Sequence, residues 1–125
     1  MIGYKVVIQD HEHVMAEEYK SAITYESAYK LIYRVGEITT ATPNTMGVFF
    51  FPNLRDAIDF TGCSSIILQI NASPDAHPVE YMHDYRRLHI CYSNNYAPTR
   101  PALYGSWVAN YVEVIDIINW NGDCP

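Results

Sequence analysis

Three of the chain's four phenylalanines stand in a row, Phe49, Phe50 and Phe51, behind Gly47 and Val48 and ahead of Pro52. Side chains of a strand alternate between its two faces. Phe50 must therefore oppose Phe49 and Phe51, so a strand over 47–51 needs apolar cover on both faces or a ligand on one. Pro52 ends the strand, because it brings no N–H to the ladder. Asn53 then has the side-chain oxygen of a helix N-cap, and Asp56 falls in the first turn, toward the positive end of the helix dipole. Leu54, Ala57, Ile58 and Phe60 form one apolar stripe, and Gly62 is placed to close the helix as a left-handed residue. A short helix over 53–61 is thus predicted directly after the most apolar strand.

The rest of the pattern is mostly β. Residues 4–8 are β-branched, 29–35 are β-prone up to Gly36, 65–72 read as a buried strand, and 87–92 alternate strictly. Residues 107–118, rich in β-branched side chains, are expected to close the sheet as one strand. Residues 15–20 have helix-forming composition, 39–45 are Thr-rich and carry Pro43, 73–78 hold two prolines, and 79–85 fit either helix or coil. The expectation is an α+β fold: a compact, strongly bent, mostly antiparallel sheet with one short helix packed on it. The core is expected to contain Val6, Ile8, Ile32, Val35, Val48, Phe50, Leu54, Ile58, Ile67, Ile70, Ile90, Val112, Val114 and Ile117.

A chain of 125 residues without a linker or repeat reads as a single domain over 1–125. A long aromatic loop at 93–105 and a polar tail at 119–125 are its irregular parts. A net charge of −6 excludes the basic stripe that nucleic acid or an anionic membrane requires, and no run reaches the ~18 apolar residues of a membrane span. The first residues lack a small-residue cleavage site and read as fold rather than leader. Cys63, Cys91 and Cys124 are odd in number and form no CxxC pair, which fits free thiols in a reducing compartment.

No constellation for catalysis stands out. His11 and His13 share one side of an extended segment and would hold a metal only with a third ligand from elsewhere; a solvated pair is the simpler reading. Glu17 and Glu18 are adjacent and point apart. Ser64 and Ser65 lack the glycines of a nucleophile elbow. Cys63 sits at a helix C-terminus, whose partial negative charge raises a thiol pKa. Tyrosine, at 11 residues, is the remaining signal. Tyr96, Tyr104 and Trp107 lie in or beside the long loop and are candidate anchors for a partner, with packing beneath the loop as the other reading, favoured for Trp107.

Tyr33, Val35, Gly36 and Glu37, then Gly47, Phe49, Phe50 and Phe51, then Ala57 and Phe60, come in an order that resembles an uncharacterised domain of large DNA viruses and phages, found alone or beside pentapeptide-type repeats. The opening at Tyr4, Lys5, Val6 and Val7 and the run from Tyr111 to Ile115 resemble that family's first and last strands. The resemblance implies a viral or phage origin and no particular activity. A more distant likeness to ADP-ribosyltransferase-like folds implies a nucleotide cleft between 29–36 and 47–51, with Tyr33, Glu37, Phe49 and Glu113 as lining. The first strand here offers only Lys5 where those enzymes place Arg or His.

The sequence therefore predicts a non-enzymatic viral or phage protein that acts through protein contacts, with a protein partner or a second copy, in the host cytoplasm or the virion, and with no cofactor, metal, nucleic acid or membrane. The alternative is a small nucleotide-binding domain or enzyme of ADP-ribosyltransferase-like shape. A metal protein using His11 and His13 is the third reading.

Overall fold

The computed structural model describes residues 1–8, 19–21, 31–43, 45–61, 65–82 and 100–118. These form eleven strands and one helix. The strands are β1 (Ile2–Ile8), β2 (Tyr19–Ser21), β3 (Ile32–Tyr33), β4 (Ile38–Thr40), β5 (Val48–Phe50), β6 (Ser65–Ala72), β7 (His77–Pro78), β8 (Tyr81–Met82), β9 (Arg100–Pro101), β10 (Trp107–Ala109) and β11 (Tyr111–Ile118). Helix α1 (Leu54–Phe60) lies between β5 and β6. All pairings are antiparallel. The class is α+β with the sheets dominant. The strands are divided among a six-stranded sheet in the order β3-β2-β1-β6-β11-β4, a three-stranded sheet in the order β5-β10-β7, and the β8–β9 pair, rather than forming one strongly curled sheet.

The three phenylalanines explain how the parts fit. Phe49 is half-buried, whereas Phe50 and Phe51 are buried on opposite sides. Phe50 joins Val7, Tyr33, Val48, Leu68, Ile70, Val112 and Val114 in the larger core, formed by residues of both main sheets. Phe51 joins Val6, Ala57 and Ile67 in a smaller core beneath the helix. Its ring lies 5.6 Å from that of Phe60. Phe51 also bridges to β1: Tyr4 N–H donates to the Phe51 carbonyl at 2.7 Å, and Phe51 N–H donates to the Tyr4 carbonyl at 2.8 Å. Gly3 gives the Phe50 ring room, because a Cβ there would come within 2.5 Å of it.

Helix α1 follows its predicted bounds. Asn53 caps it by accepting from Arg55 N–H at 2.8 Å. At the other end Thr61 is extended, and both its backbone N–H and its hydroxyl donate to the Ile58 carbonyl. The left-handed closure expected of Gly62 lies outside the described residues, as do the predicted strand over 87–92 and Ile90.

Several expectations are corrected. Residues 107–118 are two strands in two sheets, because the N–H of Asn110 turns to the Asp75 carboxylate instead of a ladder partner. Residues 38–40 are a strand although the Thr-rich stretch reads as loop: threonine is β-branched, and the buried Thr39 donates its hydroxyl to the Ile32 carbonyl at 2.9 Å. Pro78 sits in β7, an end strand of its sheet, where a missing N–H costs no ladder bond. Tyr19 and Lys20, expected in a helical turn, belong to β2, and 81–82, read as helix or coil, belong to β8. Ile32, Val35 and Ile117 are exposed rather than core. Strand β3 is only two residues long, so Tyr33 alone points inward, and Val35 lies in the turn closed by Glu37 N–H on the Arg34 carbonyl.

Truncating Phe50 to Ala should remove a fully buried ring and cost about 3–5 kcal/mol in urea denaturation. Phe49→Ala should cost less, about 2 kcal/mol, because its ring is only partly buried. Equal losses would contradict the division of the three rings described above.

Candidate functional site

The four residues expected to line a nucleotide cleft do not meet at one surface. Tyr33 is sealed in the larger core together with Phe50, so the ground between β3 and β5 is filled by side chains. Phe49 lies on the other face of β5, opposite Val108. Glu37 is exposed in the turn after β3, 3.5 Å from the Arg34 guanidinium. Glu113 points away from the core on β11, between Ile38 of β4 and Asn71 of β6. It borders a shallow cleft of about 450 Å³ that Met1, Ile38, Asn71, Pro74 and Tyr111 also line. Ile38, 60% exposed, forms its apolar wall.

The candidate partner anchors separate too. Trp107 is half-buried and packs on the larger core. Tyr104 is 88% exposed at the tip of a turn between β9 and β10. Ser106 closes that turn twice on the Leu103 carbonyl, through its backbone N–H at 3.0 Å and its hydroxyl at 2.7 Å. Gly105 has φ +77° and lies so close to the Asp56 carboxylate of α1 that a side chain would collide with it. Tyr104 is therefore presented by a turn seated on the helix. Tyr96, His11, His13 and the three cysteines lie outside the described residues. Among the described residues no group of three His, Cys, Asp or Glu side chains is arranged to hold a metal, and no helix is long and apolar enough to cross a membrane.

Two charged groups escape a reading by sequence spacing. Lys5 lies on the core-facing side of β1, between Gly3 and Val7, with Nζ 5.8 Å from the centre of the Tyr33 ring. Burial pushes its pKa down from 10.5 to about 8. Strand alternation shows that Lys5 shares a face with Val7, yet lysine ordinarily marks a solvated position. Asp75 holds the bend at Asn110: its carboxylate accepts from Ser73 Oγ and from Asn110 N–H, the latter at 3.1 Å on Oδ2. The Ser73 hydroxyl above all, with smaller help from the Asn110 and Asp75 backbone N–H groups and the nearby His77, keeps this carboxyl below its usual range against the opposing desolvation.

Comparison with protein-family models, curated proteins and solved structures finds no match to this chain. The placement of the residues is accordingly the ground on which a function is read.

Two pH effects follow. The Asp75 carboxyl is more acidic folded than unfolded, so its contribution is present above the ordinary carboxylate pKa of about 3.9 and fades as pH falls through the folded value. Asp75→Asn should lower stability at neutral pH by roughly 1 kcal/mol, allowing for its exposure. The gap to the parent should close in acid, as followed by urea denaturation across pH. Lys5 has the opposite dependence. Between pH 8 and 10.5 the unfolded chain binds the extra proton, so stability should rise with pH across that window. Lys5→Met should abolish that rise and gain on the order of 3 kcal/mol below it. A variant with the same slope as the parent would place the ammonium in water.

Proposed function

We propose that this chain is a viral or phage protein that works without catalysis, through contact with another protein, either as a virion component or as a factor binding a host protein in the cytoplasm. The observation that carries the reading is Tyr104. A tyrosine almost wholly in water gains nothing for folding, and this one is held on a doubly closed turn against α1, beside the partly exposed Leu103. A rigid aromatic with one polar tip loses little entropy on docking and is the residue type enriched among interface hot spots. The resemblance at Tyr33–Glu37 and Gly47–Phe60 supports the viral or phage origin. Trp107 supports the turn from below by packing on the core. The nucleotide-binding reading, with its cleft beside Tyr33, has no specific observation in its favour, because Tyr33 and Phe50 pack together there.

Tyr104→Ala should leave the thermal midpoint within a degree or so, since it removes no buried contact. Immobilised parent and variant chains should differ in what they retain from a host extract: the partner's capture should fall roughly tenfold or more. Identical retention by the two folded chains would remove Tyr104 as the anchor. A mass measurement in solution distinguishes a second copy from a different protein.

A further inference from the structure

Lys5 stands on a face of β1 otherwise given to the core. Gly3, Lys5 and Val7 share the face of β1 turned to the larger core. Gly3 lies against the Phe50 ring, Val7 is sealed, and the cross-strand neighbour of Lys5 is the fully buried Leu68. The ammonium faces the Tyr33 ring. Among the described residues no carboxylate pairs with it; the ion pairs there are Arg34 with Glu37 and Arg55 with Asp59. An aromatic face is a weaker partner than a carboxylate, and apolar surroundings disfavour the charged amine. A neutral amine carries a lone pair and is a nucleophile. Lys5 is half-buried rather than sealed, so its side chain keeps some contact with solvent. The depressed pKa agrees with this geometry.

We propose that Lys5 is a covalent ligand site, at which its amine condenses with the carbonyl carbon of a small, uncharged, apolar aldehyde or ketone. The Nζ lone pair adds to the carbonyl carbon, and a proton passes from nitrogen to oxygen to give a carbinolamine. The carbon–oxygen bond then breaks with loss of water, leaving a carbon–nitrogen double bond. Amine plus carbonyl gives imine plus water, and no oxidant or reductant is consumed. The apolar residues on this face of β1 and the Tyr33 ring favour an uncharged, apolar ligand over an anionic one. The site is on a different element from the Tyr104 turn and does not depend on the contact function.

The test uses the intact chain, propanal as the probe and cyanoborohydride to reduce any imine to a stable secondary amine at neutral pH. Peptide masses report on the chain's three lysines, Lys5, Lys20 and Lys30. Lys5 should be propylated initially at least about tenfold faster than either other lysine, because far more of its amine is neutral, and the preference should vanish in concentrated urea. Labelling of Lys5 no faster than Lys20 and Lys30 overturns the proposal. So does a preference that survives urea, since it would come from local sequence rather than from the fold.

Discussion

The fold depends on two backbone hydrogen bonds between Tyr4 and Phe51. Strand β2 reaches only the end of β1, at Val7 and Ile8, and leaves the edge near Tyr4 open. Phe51 takes that edge. The same segment is paired with β10 through β5, so one short stretch belongs to both main sheets. Alternation does the rest: once Phe51 is fixed against β1, its ring must go to the helix side and that of Phe50 to the space between the sheets. A one-residue slip would exchange the two rings and empty both cores. Gly3 enforces the register, since the Phe50 ring occupies the position its side chain would need.

This logic was legible in part. The demand of three consecutive rings for cover on both faces follows from the period of a strand, and Asn53, Asp56 and the stripe from Leu54 to Phe60 mark the helix locally. Strand β6 was equally plain, because 66–68 and Ile70 are large and apolar and turn residues follow Ala72. What could not be read depends on contacts between distant residues. The break at Asn110 comes from Asp75, 35 positions away; nothing in 107–118 itself signals an interruption. Thr39 looks like loop until its hydroxyl is seen to close on Ile32. The candidate cleft failed to form a common surface for a similar reason. Tyr33 was assigned to lining by its place in a motif, but β3 is too short to have more than one inward residue, and that residue is Tyr33.

The two perturbed charges show opposite uses of electrostatics. Asp75 is exposed, yet its carboxylate collects a hydroxyl and the backbone N–H that has left the ladder at a strand break. It supports the topology directly, by letting the chain leave one sheet and enter the other. Lys5 supports nothing comparable. It replaces what could be a valine or a methionine on the core side of a central strand, and its aromatic partner among the described residues, Tyr33, is a neutral ring. A group that weakens the folded state without closing a turn or pairing a charge is where a function has the strongest claim.

Tyr104 makes the complementary case at the surface. Its turn is closed on itself by Ser106 and rests through Gly105 on Asp56. Asp56 belongs to the helix whose Ala57 and Phe60 pack in the Phe51 core. The exposed ring is therefore tied, through a few direct contacts, to the bridge that joins the sheets. An anchor on such a support is ordered before it meets a partner, so the entropy that a free loop would lose on docking is already absent. The same path sets a limit on what the turn tolerates. A side chain at position 105 would be strained at φ +77° and would have to displace the Asp56 carboxylate on which the turn rests.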